Sequence, residues 1–178
     1  MKAYEANPMH EHHAADVIAT WRERPRKIAQ KLMDQYGAPD EVTSRRLIWR
    51  DNGAWKRSEV INEETLHRFP EPHYDSLLQF ISYRVPPRAG GDLLRFDGSV
   101  VVERTRGELG ARGDDESANY LALNLAHEII NGTKSVDQAR RFYAKTVQQK
   151  KHQEYMEKSL FSVPVRNQAD PDVPVTAE

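Results

Sequence analysis

The chain has 178 residues, 38% of them hydrophobic and 30% charged, with a formal net charge of −1 and no cysteine. That length sets one domain with tails as the expectation, with a core drawn from a subset of a rather polar chain. The missing cysteines exclude disulfides, thiolate catalysis and cysteine-ligated zinc or iron–sulfur centres, and the near-neutral balance argues against a protein whose main business is coating nucleic acid or anionic membrane.

Residues 1–13 read as a flexible arm. They contain no apolar signal-like stretch, and no later run approaches the roughly 18 apolar residues of a membrane span, so a cytoplasmic protein without a membrane segment is expected. A single domain is expected over 14–148. From Ala14 to Tyr36 the spacing of Val17, Ile18, Trp21, Ile28, Leu32 and Tyr36 is helical. Pro25 either kinks that helix or restarts it, because proline lacks the amide proton an interior position donates. Gly37 and Pro39 supply the stop.

A hairpin follows. Leu47 and Trp49 alternate with arginines, Asn52-Gly53 is a two-residue turn signal, and a return strand is predicted from about Trp55 to Ile61. The segment 62–71 is ambiguous. Tyr74, Leu77, Leu78 and Ile81 then fall at i, i+3, i+4 and i+7, which predicts an amphipathic helix with Pro72 near its first turn. Pro86-Pro87 ends it and residues 88–91 form a mobile loop. A second hairpin is predicted around Gly107, from the β-branched run at Val100–Val102 and a return through Glu108–Arg112. Two helices complete the pattern. The first begins at Asp114 or Asp115 and carries a stripe from Ala118 to Ile129; the second begins at the capping box Ser135-Val136-Asp137-Gln138. Residues 149–162 read as a protruding polar helix end and 163–178 as a disordered tail. The fold class is therefore α+β, an antiparallel sheet built from two hairpins with helices on one face, in the order α-ββ-α-ββ-α-α.

The run His67-Arg68-Phe69-Pro70-Glu71-Pro72-His73-Tyr74-Asp75 is the strongest candidate for chemistry. Neutral imidazoles of His67 and His73 with the Asp75 carboxylate form a nitrogen–oxygen ligand set for a divalent metal, with Glu71 as the base on a bound water. The spacing matches no established zinc signature, so a rigid strand-to-helix connection is the plain alternative. A second histidine cluster, His10-Glu11-His12-His13, has the composition of adventitious metal binders. The hairpin arginines Arg45, Arg46, Arg50 and Arg57, with Lys56, Trp49 and Trp55, are the ingredients of a single-strand nucleic-acid surface, although a half-buried strand gives the same alternation. His127, three residues after Asn124 and beside Glu128 on an otherwise apolar helix, reads as a hydrogen-bonded boundary histidine rather than a base in a cleft. Neither phosphate-loop glycine spacing nor a serine nucleophile elbow is present.

With no catalytic constellation in view, the expected role is a non-enzymatic protein-binding or self-associating domain, homodimeric in the simplest case and without a resident cofactor. Its candidate surface is Trp49, Arg50, Trp55, Arg57, Phe69 and Tyr74, residue types that dominate interface energetics. The alternatives are a metal-assisted hydrolase using His67, His73 and Asp75, and nucleic-acid binding through the first hairpin.

Overall fold

In the computed structural model, which describes residues 8–177, the Asn52-Gly53 signal produces its hairpin. Positive φ falls on Asp51 and Gly53 rather than on Asn52. The elements in chain order are α1 (Pro8–Ala19), α2 (Glu23–Tyr36), β1 (Glu41–Val42), β2 (Arg46–Asn52), β3 (Trp55–His67), β4 (His73–Ser82), α3 (Gly90–Phe96, entered through a 3₁₀ turn at Pro87–Ala89), β5 (Val100–Glu103), β6 (Glu108–Gly113), α4 (Glu116–Ile130), α5 (Val136–Gln149) and α6 (Glu154–Glu157). All six strands form one antiparallel sheet in the order β1-β2-β3-β4-β6-β5, so the architecture is α+β. No described helix is long and apolar enough to cross a membrane.

The largest departure from the sequence reading is β4. The predicted helix over 74–81 is a central strand, paired with β3 on one side and β6 on the other. Its odd-numbered positions, from His73 through Leu77 to Ile81, share one face. The register aligns Leu47, Val60 and Leu77 across β2, β3 and β4, and Ile81 with Leu109 across β4 and β6. These are among the most buried residues in the chain, and the helices lie over them. β3 accordingly runs to His67, six residues past its expected end.

Other boundaries differ too. Pro25 restarts the helix: α1 stops at Ala19 and Pro25 sits buried in the first turn of α2. α1 already begins at Pro8, inside the expected arm; residues 1–7 lie outside the described residues. The expected loop at 88–91 leads straight into α3, because Leu93 and Phe96 have a core to enter.

α5 starts from the predicted capping box, with Ser135 accepting from Gln138 N and Gln138 reaching back to Ser135 N. It does not protrude. It ends at Gln149, Lys150 takes a left-handed conformation, and the chain returns along α4. Asn124 Nδ2 donates to the carbonyls of Tyr155 and Lys158 (2.9 and 2.8 Å), and Phe161 stacks on His127 at 4.0 Å. Residues 163–177 have no regular secondary structure, though Asp170 pairs with Arg104 at 2.9 Å.

The core has two parts. One gathers α1, α2, β2 and the middle of the sheet around Trp49; the other gathers α3, α4, α5 and the β4–β6 side around Phe96 and Leu121. Tyr36 touches both. Beside it, Glu116 at the start of α4 accepts from Tyr36 Oη, Trp55 Nε1 and Gln79 Nε2 (2.8–3.0 Å). A carboxylate so fully satisfied ties α2, the sheet and α4 together.

Candidate metal centre

The β3–β4 hairpin brings the two histidines together. His67 and His73 are paired across the ladder and Thr65 is paired with Asp75, so His67, His73 and Asp75 occupy neighbouring positions on the helix-facing side of the sheet. One ligand atom from each lies within 4.8 Å of the others. Residues 68–72 span the turn, with a cis peptide at Phe69-Pro70. Phe69 leaves the hairpin to pack on Tyr143 (5.0 Å between centroids) and Phe96, and the Arg140 guanidinium covers its other side at 4.0 Å.

His73 Nδ1 lies 2.7 Å from the carbonyl of Glu71, which can only accept, so that nitrogen carries the proton. His73 Nε2 then faces Asp75 Oδ1 at 3.1 Å, and His67 Nδ1 faces Asp75 Oδ2 at 3.2 Å. On its far edge His67 Nε2 stands 3.4 Å from Asp97 Oδ1. Both aspartates have side chains only 1% exposed. Asp97 sits at the C-terminal end of α3, where Ser99 N donates to its Oδ1 at 2.7 Å.

These contacts do not resolve into hydrogen bonds. Among the described residues His67 Nδ1, Asp75 Oδ1 and Asp97 Oδ2 are buried with no hydrogen-bond partner, although each group is close to its neighbours. Buried acceptors aimed at one another are costly and call for a positive charge between them, either protons on the imidazoles or a metal ion. The Asp75 carboxylate raises the pKa of His67 above its usual 6.5; burial opposes the shift and Asp97 reinforces it.

The cluster borders a cleft of about 160 Å³ that His73 lines together with Glu71, Asp114, Asp115, Ser117 and Tyr143. Its wall is therefore carboxylate-rich. Burial holds the Tyr143 phenol well above its ordinary pKa, so it stays protonated. Glu71, expected as a base, is an exposed residue on this rim.

The residues of the expected binding surface are mostly buried or already paired. Trp49 and Trp55 are 2% and 1% exposed core residues, whose indole N–H groups donate to Gly37 O and Glu116 Oε2. Arg57 is held on the open face of the sheet by Glu59 (2.6 Å) and Glu108 (3.1 Å) and lies over Phe80; Arg50 is paired with Glu41. Phe69 is half-buried beneath Arg140, whereas Tyr74, 38% exposed below Arg24, and Arg50 are the two exposed members of the set. These six do not converge. The first hairpin consequently offers no free ring on which a base could stack. Of the N-terminal cluster, His13 is exposed on α1, and the side chains of His10, Glu11 and His12 lie outside the described residues.

The residue that sequence reading missed is Asp97. It lies far along the chain from the histidines, in a Phe96-Asp97-Gly98-Ser99 turn whose composition is that of any helix exit. No family model, curated protein or solved structure matches this chain.

Proposed function

We propose that His67, His73 and Asp75 hold a divalent transition-metal ion and that the protein is a metal-dependent hydrolase acting at the adjoining cleft. The observation that carries this reading is the convergence of two imidazole nitrogens on one buried carboxylate whose neighbouring acceptors lack hydrogen-bond partners. Two histidines and one carboxylate suit zinc and ferrous iron alike and leave coordination positions for water and substrate. The outer contacts fit as well. Glu71 O fixes the tautomer of His73, and Asp97 faces the remaining nitrogen of His67, the arrangement in which outer carboxylates and carbonyls orient metal-bound histidines. His67, His73 and Asp75 would hold an ion that supplies Lewis acidity toward a bound water and a substrate carbonyl or phosphoryl oxygen, and Glu71 or Asp114, both lining the cleft, would receive the proton.

Metal content decides the first half of the proposal. Protein made without an affinity tag or nickel resin, with His10, His12 and His13 changed to Gln to remove adventitious binding, is expected to carry about one equivalent of zinc or iron. It should rebind Zn²⁺ in calorimetry after chelator treatment. His67→Ala plus His73→Ala is expected to abolish that binding while the far-ultraviolet circular dichroism persists. Sub-stoichiometric metal, unchanged by the double substitution, would leave a protonated histidine–aspartate ion-pair network and end the metal reading. With metal established, turnover of p-nitrophenyl esters that disappears on chelation and returns with Zn²⁺ tests the hydrolase half.

A further inference from the structure

The outward side of α5 carries a charge pattern opposite to that of the metal cleft. From Lys134 to His152 the chain has six lysines and arginines against one acidic residue, Asp137, within a molecule whose net charge is −1. Three of the cationic side chains, Lys134, Arg141 and Lys145, together with His152, line a single concave pocket of about 390 Å³, whose floor includes Phe142. Arg141 and Lys145 are four apart on the helix, an arrangement in which like charges repel. Neither has an ion-pair partner among the described residues, and both are exposed.

The other two side chains are held in place. Lys134 Nζ is fixed by Glu128 Oε2 at 2.9 Å and lies 4.8 Å above the Phe142 ring, with only 20% of its side chain exposed. His152 stacks on that ring at 4.5 Å, and the chain reaches this position through left-handed φ values of 52° at Lys150 and 55° at His152. Non-glycine residues seldom adopt that conformation, so the turn after α5 is built against local preference to close the pocket with an imidazole. The acidic groups nearby are Asp137, one turn before Arg141 on α5 without an ion pair to it, Glu128, engaged with Lys134, and Glu154, 3.6 Å from His152. Lys134 and Gln138 also line a larger groove of about 890 Å³, where Arg95 and Arg140 are balanced by Asp92 and Asp137, so the excess of positive charge is confined to the smaller pocket.

We infer that this pocket binds the phosphoryl group of a small anionic ligand. Arg141 and Lys145 supply the mobile charges, Lys134 the fixed one, and His152 a lid-side donor. The volume is that of a small-molecule site, and crowded cations inside a concavity focus the field on an entering anion. The site is independent of the metal centre: Tyr143 and Val147 of α5 face the metal cleft, whereas Arg141 and Lys145 face this pocket.

The test is calorimetric titration of the full chain with pyrophosphate at constant ionic strength. Saturable one-to-one binding is expected, weakened at least tenfold by Arg141→Gln plus Lys145→Gln. It should be unaffected by Arg45→Gln plus Arg88→Gln, which removes the same charge from exposed positions elsewhere. The inference is overturned if pyrophosphate fails to bind at millimolar concentration, or if both double variants weaken it equally. A short single-stranded oligonucleotide that binds where pyrophosphate does not would also overturn it, since that assigns the charge to a diffuse polyanion footprint rather than a pocket. Because metal loading is measured separately, failure here leaves the metal reading untouched.

Discussion

At the scale of single residues, the proposed metal site turns on the difference between touching a metal and aiming a ligand at it. Asp97 does not line the cleft, yet it faces the outer nitrogen of His67. Replacing it with Asn preserves shape and can keep the hydrogen bond from Ser99 N while removing the charge that orients the ring. We expect Asp97→Asn to fold normally and to bind Zn²⁺ about 10–100-fold more weakly, the usual cost of losing an outer carboxylate. Affinity equal to wild type in calorimetry would confine Asp97 to a structural role. Gly110 makes a second point at this scale. A Cβ there would stand 2.6 Å from the Phe80 ring and 2.9 Å from Gln79 O, so the ring lies flat on bare backbone beneath Arg57. Gly110→Ala should cost about 1–3 kcal/mol, the range for overpacking, seen as a lower urea midpoint. In a Phe80→Leu background the cost should shrink, since contacting residues couple. The composition of the metal trio was legible because histidine and aspartate have few reasons to crowd a proline-rich turn. Asp97 was not, because nothing local distinguishes it from a helix-terminal aspartate.

Elements were legible where one signal dominated. Gly107 and the Ser135 box each announce a backbone conformation that few alternatives satisfy and appear where expected, and Asn52-Gly53 announces its hairpin although the turn falls one residue later, on Gly53 and Ala54. β4 misled because two periodicities coincide. Tyr74, Leu77, Leu78 and Ile81 fit a helical face, but the strand places Asp75, Leu77, Gln79 and Ile81 inward. Two of those four are polar: Asp75 belongs to the proposed metal trio and Gln79 bonds Ser58, Asn119 and Glu116, so the alternation that marks a strand was erased at these buried polar positions. Phe80, on the open face, is 4% exposed under Arg57, which further blurred the pattern. With β4 misassigned, His67 and His73 could not be recognised as cross-strand partners. The terminus of α5 supports a prediction of its own. Ser135 is an exposed cap whose side chain accepts from Gln138 N at 3.2 Å, so Ser135→Ala should cost about 1 kcal/mol. For a chain of this length that lowers Tm by about 2–4 °C in calorimetry. A change below 0.3 kcal/mol (~1 °C) would show that tertiary packing alone sets the end of the helix.

For the whole molecule, the returning C-terminal segment is the feature least visible in sequence, since its polar composition suggests solvent while its few apolar residues find the core. His127 is the pivot. Its ring stacks on Phe161, its Nδ1 lies 2.8 Å from Tyr83 Oη, and Asn131 Nδ2 sits 3.1 Å from its Nε2, with Glu128 adjacent. Burial lowers the pKa of His127 below 6.5, outweighing the opposing pull of Glu128. The folded state therefore favours the neutral ring, and the unfolded chain takes up a proton first as pH falls. The contribution is fully present above about pH 6.5 and is lost as pH drops from there toward the lower folded value. His67, raised by Asp75, contributes with the opposite sign, so the pH profile of the wild type alone cannot isolate the effect. The difference between wild type and His127→Gln can. Urea unfolding at pH 7.5 and 5.5 is expected to show a wild-type advantage over the variant that shrinks on acidification. An advantage that grows would mean that His127 is held as the cation, with Glu128 rather than burial governing how the C-terminal segment is fastened to α4, and a constant one would mean that folding leaves its protonation unshifted.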